Sequence, residues 1–334
     1  MNRGVIYLVI GMILTINWNI QAVCIPGYED YEQIIPFEIL GEEGVLILSN
    51  SPETVKETGV LYREKVCGRS RMVFHHVNAT GKNDKKLLIT VKNNSLKPQM
   101  MIVDKEGCAP PLYHYLEAGN RLLNAYYRCH TSKVYFLEPN ECMMLYDSTP
   151  YEWKQQMVLS GMLDFYTTDY LEVTFSVIEK EASLESIDSL KVLDMDLAPR
   201  GTFPCLTKYQ YIWLTGEKNS YYLIEDEERD WVQGKDNLTG KTAVNYGNYG
   251  ILYKIKLAAS KDTQVFVCPR GGIFQGTIRW ENGQTHLIAR KHVFKVKKER
   301  IDIGQIKKGE VKTLEYILPN GSAAPVLIGF DVNK

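Results

Sequence analysis

Recognisable chemistry is what this sequence lacks. Its 334 residues hold only six histidines, with no His-x-His and no His-Glu-x-x-His, so the common zinc and copper ligand spacings are missing. Gly-x-Ser-x-Gly is absent too, and none of the seven cysteines has a catalytic flank or a Cys-x-x-Cys partner. Net charge is equally thin. Thirty-nine basic side chains stand against 40 acidic ones, giving a formal charge of −1, so general attraction to nucleic acid or membrane phosphate is not expected. Beyond Ile16 no apolar run approaches the roughly 20 residues that span a bilayer. These absences predict no catalytic residue, no metal, no cofactor, no nucleic-acid partner and no transmembrane segment in the mature chain.

What is present begins with an export signal. Arg3 leads into an apolar run from Val5 to Ile16, then a polar step through Asn17, Asn19 and Gln21, with Ile20 and Ala22 at the positions signal peptidase reads. Residues 1–22 are therefore expected to be a signal peptide, leaving Val23 first in a secreted chain. A rival reading acylates Cys24, but Gln21-Ala22-Val23 is a poor match to the Leu-small-small approach of lipoproteins. The composition after this segment is globular, with 45% hydrophobic and 24% charged residues. Tyrosine, at 21 against ten Phe, suits half-buried strand surfaces where the ring packs and the hydroxyl reaches water.

Period-2 patterning dominates. Apolar or alternating runs at 45–48, 87–91, 100–103, 171–177, 211–214, 221–224, 251–257, 265–267, 276–280 and 293–296 are separated by Asn, Gly and Pro turns. Helical signals are few: one or two turns within 113–127, and a short helix capped by Ser183 with Leu184, Ile187, Leu190 and Leu193 every third residue. The fold class expected is mainly β, two consecutive β-sandwich-like domains with few short helices. The division is placed at residues 23–198 and 199–334, after the charged stretch that ends at Asp196. An echo, Gly59-Val60-Leu61-Tyr62-Arg63 against Gly250-Ile251-Leu252-Tyr253-Lys254, predicts a glycine with φ > 0 leading into a central strand in each half.

Ser51-Pro52-Glu53, the run from Gly59 to Tyr62, Gly68, Arg71 and His76-Val77-Asn78 resemble a segment of secreted proteins from spore-forming Gram-positive bacteria. Those proteins often carry it behind a module named for its likeness to the N-terminal domain of copper amine oxidases. Arg200-Gly201-Thr202-Phe203-Pro204, Leu214-Thr215-Gly216, the run from Gly247 to Tyr253, and Pro269-Arg270-Gly271-Gly272 before Asn282-Gly283 extend the likeness over most of residues 45–290. It implies an extracellular, wall-associated setting, and the amine-oxidase-like module itself is not recognised. Oxidase chemistry is not expected: Asn245-Tyr246 and Asn248-Tyr249 are each followed by Gly rather than an acid, and the copper His-x-His is missing.

The remaining motifs read as structure. His75-His76 would point to opposite faces of a strand and cannot share one metal, so one is expected buried and the other exposed. Gly234 to Thr242 has one residue too many between its glycines for a P-loop and reads as a surface loop. The acidic run 225–228 lacks EF-hand spacing and reads as a solvated turn. Asn78, Asn93, Asn237 and Asn320 fit the N-glycosylation pattern, which the bacterial resemblance implies is a coincidence, and Cys129 with Cys142 is the one cysteine pair a hairpin could join. A basic run, Arg290 to Arg300, is the positive candidate. As one strand it would set Lys291, Lys295 and Lys297 in a row at roughly 7 Å per two residues, suited to a polyanion such as a wall polymer. The same lysines would also protect a sheet edge. The chain thus reads as a secreted, non-catalytic binding or structural module of the cell surface, partnered by wall polymer or another surface protein. The alternative is an extracellular polysaccharide hydrolase, since 40 acids leave room for a carboxylate pair. A hydrolase needs a cleft with converging carboxylates; a module needs a flat or grooved aromatic and basic surface.

Overall fold

A computed structural model describes residues 25–41, 44–224, 230–291 and 300–332. The N-terminal lead holds β1 (Glu32–Gln33) and β2 (Phe37–Leu40). Next come β3 (Val45–Ser49), β4 (Thr54–Val55), β5 (Gly59–Asn78), β6 (Lys85–Lys92) and β7 (Gln99–Leu112). Helix α1 (Tyr115–Arg128) precedes β8 (Lys133–Leu137), β9 (Cys142–Asp147) and β10 (Val158–Glu179). A 3₁₀ turn at Leu184–Ser189 leads to β11 (Arg200–Phe203), β12 (Thr207–Leu214), β13 (Ser220–Ile224), β14 (Gln233–Asp236) and β15 (Lys241–Val244). Then follow β16 (Leu252–Ala259), β17 (Thr263–Pro269), β18 (Phe274–Trp280) and β19 (Thr285–Lys291). The last are β20 (Ile301–Ile306), β21 (Val311–Tyr316) and β22 (Val326–Val332). The protein is mainly β, as its alternating pattern predicts.

An 11-stranded sheet is built on the two long strands β5 and β10, antiparallel from Val158 opposite Val77 to Val177 opposite Gly59. Their register breaks between Thr167 and Leu171, beside Gly68 at φ +80°. An inserted stretch of this kind bends and twists a strand. The first half of β10 pairs with β7 and the second half with β6. The sheet thereby curls around its own core, where Leu61, Phe74, Val91, Leu163 and Phe175 meet.

The second body is a sandwich of a five-stranded sheet, β1-β13-β22-β17-β20, and a six-stranded sheet, β19-β18-β21-β16-β12-β2. Their inner faces share one core, with Ile224, Val267 and Ile328 from one side and Ile255, Ile278 and Leu314 from the other. Ile25, Tyr28 and Tyr31 cover the outer face of the five-stranded sheet against Phe266 and Cys268.

The expected division after residue 198 does not follow the hydrogen bonding. β11 pairs with β3, and β14 pairs with β11, so three strands of the second half complete the 11-stranded sheet. The lead runs the other way: β1 pairs with β13 and β2 with β12. The sandwich core also continues into Leu46, Val73, Leu122 and Tyr126 of the first half. Strand edges are satisfied by whatever backbone lies beside them in space, and composition along the chain carries no record of that.

Helix α1 is longer than expected, at 14 residues. Leu116, Leu122, Leu123, Tyr126 and Tyr127 make one buried face, and Glu117 and Arg128 suit the two ends of the helix dipole. It can lie close to β7 because Gly107 offers no side chain; a Cβ there would meet the Leu122 carbonyl oxygen at 2.5 Å. Ser183 does precede a helical turn, but its hydroxyl bonds the Glu185 carboxylate at 3.1 Å rather than capping the backbone. The three-residue spacing of Leu184, Ile187 and Leu190 is that of a 3₁₀ turn.

Candidate functional site

The outer face of the six-stranded sheet is open where β2, β12 and β16 lie side by side. Along β12 the usual alternation is inverted. Lys208, Gln210, Ile212 and Leu214 are buried, while Tyr211 and Trp213 face solvent at 40% and 67% exposure. Lys208 and the Gln210 amide nitrogen find partners on the inner side, while Gln210 Oε1 is buried without a hydrogen bond among the described residues. Lys208 Nζ donates to the Asp230 carbonyl oxygen at 2.8 Å and lies 3.4 Å from Glu38 Oε1, and Gln210 Nε2 donates to Glu38 Oε2 at 2.7 Å. With Lys208 and the Gln210 amide nitrogen bonded inside, period-2 geometry puts the aromatic rings outside.

Neighbouring strands extend the row. Phe37, 68% exposed, sits opposite Tyr211 with ring centroids 6.2 Å apart, and Ile39 sits opposite Tyr209. On the other flank Tyr209 and Tyr211 pair in register with Lys254 and Lys256 of β16, which in turn oppose Glu315 and Thr313 of β21. Lys254 Nζ stands 5.8 Å from the Tyr209 ring centre. The face therefore carries apolar rings and hydrogen-bonding side chains in adjacent rows.

Past Tyr209 and Lys254 the face runs into a cleft of about 180 Å³ where β5, β7, β10 and α1 meet the six-stranded sheet. Its floor is a buried ion pair. Arg71 Nε and Nη2 reach the two Asp164 oxygens at 2.6 and 2.7 Å, and Tyr126 Oη donates to Asp164 Oδ2 at 2.7 Å. Arg71 Nη1 donates to the Gly250 carbonyl oxygen at 2.8 Å, tying the two halves together. Burial works to raise the Asp164 pKa, but the Arg71 charge and the hydrogen bonds from Arg71 and Tyr126 outweigh it and hold the carboxyl below its usual range. Glu315, the other acid here, lies 3.5 Å from Arg279. Neither carboxylate is placed to act as a free acid or base.

Lys105 is the contrasting group in the cleft. Its ammonium stands 4.1 Å from the Tyr126 ring centre and 5.5 Å from that of Tyr127, and burial lowers its pKa.

The residues singled out from sequence lie elsewhere. Lys291 ends the edge strand β19, with its backbone opposite Phe274; Lys295 and Lys297 lie outside the described residues, as do residues 1–24 and the acidic run 225–228. Arg300, of the same basic run, is committed to ion pairs with Asp302 and Asp331 and lies over the Phe266 ring.

Both His75 and His76 are buried, not one, because the central strand β5 is covered on both faces. They do point apart. His75 Nδ1 lies 3.2 Å from Ser160 Oγ, while His76 bonds Ser49 Oγ at 3.1 Å and the Pro52 carbonyl oxygen at 2.9 Å. No group of metal-ligating side chains gathers among the described residues. Gly234 to Thr242 is the β14–β15 hairpin, and its Asp236 is drawn inward by Arg200 at 3.0 Å. Cys129 and Cys142 do not pair with one another.

Sequence reading missed the aromatic face, although its signal is present: Tyr209, Tyr211 and Trp213 occupy alternate positions of one strand. Alternation alone does not say which set faces water.

No protein-family model matches the chain, and no curated protein matches it. Among solved structures, 86% of the chain aligns with 24% of tripeptidyl peptidase 2, at 9% identity and a TM-score of 0.22. The chain thus spans about a quarter of that protein's length. An oxalate decarboxylase aligns over 91% of this chain and 79% of its own, at 8% identity and a TM-score of 0.14. The 11S allergen of Cocos nucifera aligns over 84% and 90%, at 8% identity and a TM-score of 0.12. Overlaps this slight carry no argument about function. Among the described residues no helix is long and apolar enough to cross a membrane.

Proposed function

We propose that this chain is an exported, non-catalytic binding module that lays a surface polysaccharide across the open face of its six-stranded sheet. The observation that carries the reading is the exposed row of Phe37, Tyr211 and Trp213 beside Lys254 and Lys256. A contiguous apolar patch rimmed by polar groups marks an interaction site. A pyranose ring matches this one: its apolar face stacks on an aromatic ring while its hydroxyl rim meets lysine, threonine and glutamate. Export and a wall setting accord with the N-terminal signal pattern and the family likeness. The hydrolase reading is less well supported, because Asp164 and Glu315, the carboxylates of the adjoining cleft, are both held in ion pairs.

The test is cosedimentation of the mature protein with insoluble wall polysaccharide, beside a Tyr211→Ala, Trp213→Ala double variant. Both side chains are exposed, so stability should change by only about 0.5 kcal/mol for each. Binding should weaken at least about tenfold, the loss of roughly 1.4 kcal/mol of stacking. Equal sedimentation of variant and wild type overturns the reading. Dimerisation that the same variant abolishes would assign the patch to a second copy instead.

A further inference from the structure

The cleft at the end of the aromatic face carries two lysines, Lys105 and Lys254, beside the carboxylates Asp164 and Glu315. Arg71 and Asp164 neutralise one another, and Glu315 is drawn to Arg279. Lys105 makes no hydrogen bond or close ion pair among the described residues; its ammonium stands over the tyrosine rings, with Asp164 and Glu315 acting on it only at longer range. Behind it, the buried Tyr127 hydroxyl also has no hydrogen-bond partner. A half-buried ammonium and a buried hydroxyl left unsatisfied in one small cleft are costly unless something else completes them.

We propose that this cleft is an acid-recognition subsite, in which Lys105 and Lys254 hold the carboxylate of a uronic-acid unit whose polymer chain lies on the aromatic face. This rests on the polysaccharide reading above and names its substrate class. The two parts of the surface select together. The aromatic row wants rings with apolar faces, and the cleft wants an anion of few atoms. A sugar polymer bearing carboxylates offers both, whereas a polyol phosphate offers charge without rings to stack. Tyr127 Oη supplies a donor that a carboxylate oxygen can accept, and burial of Lys105 strengthens its attraction to an anion by thinning the competing water.

Polygalacturonate and its methyl ester separate the two claims, because they share a backbone and differ in charge. Affinity electrophoresis of the mature protein in gels holding either polymer should show polygalacturonate bound about tenfold more tightly, the worth of one charge-assisted hydrogen bond. Lys105→Gln should erase that preference while leaving the ester bound as before. Tyr127→Phe should narrow it, and as a near-isosteric change provides a second variant should Lys105→Gln fold poorly. Failure to bind either polymer overturns the polysaccharide reading and the subsite with it. Equal binding of the two polymers, or a preference that survives Lys105→Gln, overturns the subsite alone. Tighter retention by a polyglycerol phosphate than by polygalacturonate likewise overturns the carboxylate assignment.

Discussion

Gly59 and Gly250 open the two similar Gly-β-branched-Leu-Tyr-basic runs, yet they are glycine for different reasons. Gly250 has φ +79° and turns the chain toward β16, as the sequence suggests. Gly59 has no positive φ; it begins β5 directly, and a Cβ there would meet the Lys191 carbonyl oxygen at 2.8 Å. One position needs a backbone conformation and the other needs room. Gly250→Ala should destabilise by about 1–3 kcal/mol, combining left-handed backbone strain with a clash against Val73 Cγ2 at 2.7 Å. Gly250→Asn should cost about as much, since Asn eases the backbone but keeps the clash. Urea melts decide this, and an unchanged midpoint for both variants would show that neither constraint matters.

At the scale of the element, β5 shows what a central strand does to polar side chains. Both histidines are held neutral: burial lowers His75 from 6.5 to about 3, with the neighbouring His76 adding to the shift. Burial likewise lowers His76 to about 4, against its hydrogen bonds. Each folded pKa lies below the unfolded one, so each histidine's contribution to stability is full above about pH 6.5 and drains as pH falls toward the folded values. Stability should therefore drop by about 2 kcal/mol per histidine between pH 6.5 and 5. His75→Gln should remove about half of that drop, measured as the difference in urea midpoint between the two pH values. A wild-type midpoint that does not move between them would show that the histidines are solvated. The same burial explains why the pair is not a metal site: its nitrogens are spent on Ser160, Ser49 and Pro52.

Across the whole molecule the two halves are joined by strand exchange rather than by a linker. β11 completes the sheet of β3 and β5, the N-terminal lead completes both sheets of the sandwich, and Arg71 of the first half bonds the Leu206 and Gly250 carbonyl oxygens of the second. A core that spans both bodies cannot lose one and keep the other. The protein should unfold in a single transition, with calorimetric and van't Hoff enthalpies in agreement. Two resolved heat-capacity peaks would show that the halves melt separately and that the shared core is not decisive. The candidate binding face depends on the same exchange, because Phe37 reaches Tyr211 only through the pairing of β2 with β12.

The alternation of residues such as Leu171 to Val177, and the turns between such runs, determined by themselves that the chain would be mainly β, because period-2 burial is a local property. They also fixed that His75 and His76 point apart. What tertiary structure alone decided is which strands are neighbours and which face of each is covered. Tyr209, Tyr211 and Trp213 read as a half-buried strand in either orientation. They became a surface because Glu38 and the Asp230 carbonyl, 22 residues or more away, bond Lys208 and the Gln210 amide nitrogen on the inside. The Lys105 cleft was hidden for the same reason: its walls come from β5, β7, β10, α1 and β16, and only their packing brings those charges together.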